Sequence, residues 1–174
     1  MKKSTYILFP TLLVLLTSFI TVNNKDVDTK PHLFKIERSK DANEIFYDIN
    51  LEKTGTLSIT EPIYPYWRRQ TEGGAIKPLT WIQQHYAYGL EYVYASGNYA
   101  KFHFVSYKKR DFVLKKNASG DFKVFTQLNN KEVEVNRIFI QIDGGTFWFP
   151  KISKVELHTK EAVTNKNIVE IIKP

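Results

Sequence analysis

The chain contains no cysteine among its 174 residues. A disulfide framework, a thiolate zinc or iron–sulfur site, a cysteine nucleophile and a lipid-modified cysteine anchor are therefore excluded. Phosphate-loop spacing is missing too. Neither G-x-x-x-x-G-K nor G-x-G-x-x-G occurs, and Gly73-Gly74 reads as a flexible loop. No G-x-S-x-G elbow presents a serine nucleophile, and Ser96-Gly97 and Ser119-Gly120 read as turn residues. His32, His85, His103 and His158 form no H-x-x-x-H, H-x-H or H-E-x-x-H. A metal centre would need the fold to gather them with Asp48, Glu61 or Glu91, so no metal and no cofactor is expected. His103 and His158 are expected to face solvent, and His85 to be half buried.

What is present is apolar and aromatic. Hydrophobic residues make up 43% and aromatics 14%, too much for a disordered chain, and the length suits one domain. Lys and Arg number 25 against 18 Asp and Glu, a net charge of +7. The two signs are interspersed, so the balance does not point to nucleic acid.

Residues 1–24 read as a targeting segment outside the fold. Lys2 and Lys3 precede an apolar run from Tyr6 to Val22, the layout of a secretory signal. Thr21-Val22-Asn23 is the nearest approach to a cleavage triplet. The run also approaches the lower length limit for crossing a bilayer, so a retained anchor over residues 6–22 is the alternative. Either way the domain is expected to be exported, periplasmic or secreted. Loss of Lys2 and Lys3 leaves 23 basic against 18 acidic residues, a net charge of +5. Residues 25–31 form a linker, and 32–174 a single β-rich domain.

Period-two alternation dominates that domain. His32 to Arg38 places Phe34 and Ile36 inward. Asn43 to Leu51 places Ile45, Tyr47, Ile49 and Leu51 on one face. Tyr92–Tyr94 and Tyr99–Tyr107 flank a turn at 95–98, and Lys108–Asp111 is the next turn. Phe112–Lys116 and Phe122–Leu128 form another hairpin. In Glu132–Asp143 the apolar parity slips by one residue, from Val133 and Val135 to Ile138, Ile140 and Ile142. That predicts a bulge near Asn136. Asp143-Gly144-Gly145 leads into a strand at 146–149 that Pro150 ends, followed by strands at 155–159 and 168–172. Pro78–Tyr88 is the exception, a helix with a Thr80/Gln83 capping box and Gly89 as a left-handed C-terminal residue. The whole predicts a mainly β domain, one antiparallel barrel or sandwich of about nine short strands and one helix over about 78–88.

Several stretches carry a family resemblance: Leu33 to Lys40, Tyr66-Trp67 with Glu72-Gly73-Gly74, Leu79 to Gln83 with Ala87-Tyr88-Gly89, Val105 to Lys109, and Arg137 to Trp148. Together they resemble an exported bacterial family defined only as a domain of unknown function. The resemblance implies one exported domain and assigns no activity or catalytic residues.

The most suggestive constellation is aromatic and basic. Tyr66, Trp67, Arg68 and Arg69 are followed by Trp81 and Tyr88 on the predicted helix. Flat rings offer stacking faces and Arg offers a bidentate fork, as sugar, anionic head-group or peptide binding would need. The competing reading is core packing of the rings, with the arginines pairing at a strand end. Lys108–Arg110 with Lys115–Lys116 would form a basic rim if both turns lie at one end.

The first expectation is a non-enzymatic binding domain for a small amphipathic or anionic ligand or an envelope protein. It predicts a concave pocket lined by Trp67, Trp81 and Tyr88 with Arg68 facing in. No nucleic acid is expected, and membrane contact only through an uncleaved N-terminal segment. The alternative is an envelope hydrolase acting on glycan or another anionic polymer, with Glu61, Glu72 or Asp48 as acid or base. It predicts two acids facing one cleft, at least one with a raised pKa. A structural partner that docks through a strand edge is a third reading.

Overall fold

A computed structural model describes residues 32–146 and 149–174. The targeting segment and linker lie outside the described residues, as do Phe147 and Trp148.

Eleven strands and one α-helix are present among the described residues. The strands are β1 (His32–Arg38), β2 (Asp41–Ile49), β3 (Ile63–Arg69), β4 (Ala75–Pro78), β5 (Leu90–Ser96) and β6 (Tyr99–Phe104). They continue with β7 (Tyr107–Lys116), β8 (Phe122–Leu128), β9 (Lys131–Gly145), β10 (Pro150–Glu161) and β11 (Asn167–Ile172). Helix α1 (Trp81–Tyr86) and a short 3-10 turn (Gln70–Glu72) interrupt them.

All strands belong to one sheet in the order β4-β3-β2-β1-β9-β8-β7-β6-β5, with β10 on β9 and β11 on β10. The sheet curls into a half-barrel. β9 explains the shape. Strand β10 pairs with it from Val133 to Gly145, occupying one edge throughout. The other edge is shared end to end. β8 pairs with Lys131–Glu134, and β1 runs parallel to Arg137–Ile140. Two wings, β1–β4 and β5–β8, therefore spring from one edge and face each other.

The changeover falls at Asn136, where Val135 pairs with Thr159 and Arg137 with His158. Asn136 is the extra residue of a bulge, as the parity slip predicts. A bulge adds twist and bends its strand, which lets the two wings diverge. Apolar side chains fill the space between them. Phe34 stacks on Tyr47 at 4.3 Å, and both meet Phe104 from the opposite wing, at 6.0 and 5.8 Å. Phe102 and Phe112 continue that aromatic core at 5.7 Å from each other.

Three local expectations change. The strand count rises because β3 and β4 go unseen in a stretch lacking clean alternation. The turn after β6 is Val105-Ser106, so Lys108–Asp111 lie within β7. The supposed basic rim is thus split between the two ends of one strand, and all its members but Lys109 are engaged, Lys108 with Glu91. Arg110 pairs with Glu170 and Lys115 with Glu132, while Lys116 lies over the Phe122 ring. Finally, β9 continues through Gly145, and Pro150 begins β10 rather than ending a strand. The Thr146 N–H donates to Phe149 C=O at 3.1 Å across the connection.

Helix α1 is shorter than expected, and its capping box forms. Thr80 Oγ1 accepts from Gln83 N–H, and Gln83 Oε1 accepts from Thr80 N–H at 2.9 Å. Gly89 serves differently from the expectation. Its φ is not positive, and a Cβ there would lie 1.8 Å from the Gln84 carbonyl oxygen. Close approach of two backbones, not a left-handed cap, requires glycine.

Candidate functional site

A curled sheet that does not close leaves a seam between its outer strands. Here β4 covers only Tyr66–Arg69 of β3, so Ile63–Pro65 keeps an open edge. Pro62 C=O accepts from Asn50 N–H on the β2 side, so Ile63 and Pro65 turn their backbone groups toward the opening. Proline is suited to such an edge because it has no N–H to leave unpaired. Tyr92 of β5 closes the gap at one point. Its hydroxyl accepts from Ile63 N–H at 3.1 Å and donates to Ile63 C=O at 3.3 Å. Burial pushes its phenol well above the ordinary value, so it stays protonated and able to donate.

Beside this contact lies a cleft of about 480 Å³. Glu61, Ile63 and Pro65 form one wall, Gln84 and His85 of α1 another, and Gly89–Tyr92, Val105 and Lys108 the third. Ile63, Pro65, Leu90 and Val105 supply the apolar surface. Glu61, Gln84, His85, Glu91, Tyr92 and Lys108 supply its charge and polarity. The Glu91 carboxylate receives Lys108 Nζ at 2.5 Å, and His103 Nε2 lies 3.6 Å away. The hydrogen bond from Lys108 holds Glu91 below the usual carboxylate range. Glu61 differs. Among the described residues no hydrogen bond or ion pair reaches its carboxyl group, and burial pushes its pKa up. His85 is exposed, not half buried, and its Nδ1 lies 2.8 Å from Trp81 C=O. A carbonyl only accepts, so Nδ1 carries a proton, and in the neutral ring Nε2 presents a lone pair.

The family profile for DUF4833, a domain of unknown function, matches residues 34–171. The chain belongs to the DUF4833 family. Neither a curated protein nor a solved structure matches it.

In this DUF4833 domain none of the six aromatic and basic residues singled out in the sequence lines the cleft. Trp67 and Tyr66 are buried on opposite faces of β3. Trp67 and Tyr88 do meet, with ring centroids 5.6 Å apart, but the arginine between them is Arg38. Its guanidinium lies 4.6 Å from the Trp67 ring and donates to the Tyr88 hydroxyl at 3.2 Å. The Trp67 indole N–H donates to Gln83 Oε1 at 3.0 Å, the same oxygen that caps the helix. This cluster fastens α1 to the sheet. Tyr66 stacks on Phe46 at 5.9 Å, and Arg68 lies 5.5 Å from the Phe46 ring on the outer face. Arg69 pairs with Glu72 at 2.9 Å. Trp81 alone of the six is exposed, and it adjoins the cleft through His85, stacked at 4.4 Å.

The acids sort in the same way. Asp48 is buried and bound to His32 Nδ1 at 2.5 Å, and exposed Glu72 is held by Lys77 and Arg69. Of these acids Glu61 alone lines the seam cleft, where Glu91 joins it. His103 and His158 are half buried rather than solvent-facing, and His158 lies between Arg137 and Glu156. Leu90 and Val105 escape sequence reasoning, because nothing local marks a residue that lines a gap between distant strands. Pro65 was the one local signal, since proline inside a strand implies an edge.

Proposed function

We propose that this DUF4833 domain binds a small amphipathic ligand in the seam cleft between β3, α1 and β5. The observation that carries the reading is the pairing of an apolar lining with the unpartnered carboxyl of Glu61 in one concavity. Clefts of several hundred Å³ with a few convergent polar groups are where small ligands bind. Trp81 and Tyr86 are exposed on α1 and offer ring faces near the opening. In this reading Tyr66, Trp67, Arg68, Arg69 and Tyr88 act by holding β3 and α1 in place. Export to the cell envelope belongs to the proposal and is supported by the basic and apolar N-terminal sequence.

The test is native mass spectrometry of the full chain purified gently from its source. The wild-type protein is expected to carry a reproducible added mass, and Val105→Trp, which fills the cleft, is expected to lose it. An added mass that persists in Val105→Trp, or its absence from both proteins, overturns the proposal.

A second reading is favoured by the two cleft acids. Their surroundings push them apart, with Glu61 raised by burial and Glu91 lowered by Lys108. That division is the one an acid and a carboxylate base or nucleophile need in glycan hydrolysis. Release of reducing sugar from an envelope glycan, lost in both Glu61→Gln and Glu91→Gln, would carry this reading over simple binding.

A further inference from the structure

The polarity of the cleft is one-sided. Of its donor groups, the Tyr92 hydroxyl is spent on Ile63, and the charge of Lys108 is neutralised by Glu91. The Glu61 carboxyl has no partner among the described residues, and in neutral His85 Nε2 presents a lone pair, since Nδ1 faces Trp81 C=O. Both are acceptors. The Gln84 amide takes either role. The one charge not already neutralised by a neighbour is therefore negative, and it stands beside Ile63, Pro65, Leu90 and Val105. A primary ammonium brings three N–H donors and a positive charge, and no acceptor. An anionic head would face Glu61 with no free cation to meet it.

From this juxtaposition we infer that the cleft takes an amphipathic primary amine, its ammonium on Glu61 and its apolar part against Ile63, Leu90 and Val105. The inference rests on the cleft being the ligand site. Glu61 is the specificity-determining residue, and His85 Nε2 accepts a second N–H. The Glu91–Lys108 pair closes the far side without offering a competing charge.

Three probes with one tail and different heads test this: hexylammonium, hexanol and hexanoate, titrated into the full chain and followed by amide chemical shifts. Shifts at Ile63, Leu90, Tyr92 and Val105 are expected, with hexylammonium bound about tenfold more tightly than hexanoate, the usual scale for one charge-assisted hydrogen bond. Glu61→Gln should weaken hexylammonium about tenfold and leave hexanol within about twofold, since a neutral amide keeps the acceptor and loses the charge. Unchanged hexanol binding also shows that the variant is folded. Equal or tighter binding of hexanoate, or hexylammonium affinity unaltered by Glu61→Gln, overturns the amine while the cleft stands. If none of the three probes moves these amides, the cleft itself is not the ligand site and both readings fall.

Discussion

The Tyr92 hydroxyl meets both backbone groups of Ile63, its N–H at 3.1 Å and its C=O at 3.3 Å. One phenol thereby does at the seam what a neighbouring strand does elsewhere in the sheet. Tyr92→Phe keeps the ring and leaves both Ile63 groups without that partner. A loss of about 1–2 kcal/mol is expected in urea denaturation. Hydrogen exchange at Ile63 should accelerate with it, while exchange at Phe34 and Ile36, deep in β1 of the same wing, should follow only the global change.

Gly89 tolerates no side chain, because the Gln84 carbonyl occupies the space of a Cβ. Gly89→Ala must push the end of α1 away from β5 and so distort the cleft wall that Gln84 and His85 form. A loss of about 2–4 kcal/mol is expected by thermal unfolding. By contrast, nothing lies within 4 Å of a Cβ built at Gly120. Gly120→Asn, which suits the positive φ there, should leave stability within about 0.5 kcal/mol.

Trp67 holds α1 through a single indole hydrogen bond to Gln83. Trp67→Phe retains the ring beside Arg38 and removes the donor. A cost of about 1 kcal/mol is expected, with faster exchange of the α1 amides. If Trp67 positions the helix and does not touch ligand, hexanol affinity should stay within about twofold. A tenfold loss would return Trp67 to the binding surface.

The raised Glu61 pKa has a definite pH signature. A carboxyl raised on folding favours the folded state while protonated, so its contribution is present below the unfolded value. It is lost as pH rises through the higher folded value. Glu61→Gln should therefore stabilise the protein slightly at pH 7, by at most about 0.5 kcal/mol for so accessible a group, and not at pH 3. Thermal midpoints of the two proteins across that range decide it.

Glu44 has the opposite sign. Burial pushes it up, but hydrogen bonds from Lys35 and Gln70 outweigh that and leave it below the usual range. Its contribution is present above the unfolded value and disappears as pH falls through the lowered folded value. Glu44→Gln should cost about 0.5–1 kcal/mol at pH 7 and almost nothing at pH 2.

Much of the fold is legible residue by residue. His32–Arg38 alternates from Phe34 onward and forms β1 with those bounds. The parity slip at Asn136 is a bulge because side-chain direction in a strand has period two, and one extra residue must show. Thr80 and Gln83 form their capping box because that contact spans only three residues. Ile63–Arg69 is obscured for an equally physical reason. Trp67 fills the core while Tyr66 is covered by Phe46 on the other face, so no alternation survives. Val105-Ser106 carries no strong turn signal, and the chain reverses there because Val105 N–H donates to Gly89 C=O and Ser106 Oγ donates to Ala87 C=O.

The candidate site divides along the same line. Sequence pattern singled out Trp67 and Tyr88, and they do meet. What brings them together is the docking of α1, with Arg38 supplied by a strand far away in the chain. Hydrophobic period, capping chemistry and composition act over a few residues, so the sequence by itself determined a mainly β fold, a capped helix and a broken long strand. Where Ile63 finds Tyr92, which acids share a cleft, and which face of Glu61 lacks a partner depend on how two wings curl toward each other. Those contacts join residues separated by 29 positions or more, as between Ile63 and Tyr92, and only the tertiary structure decided them.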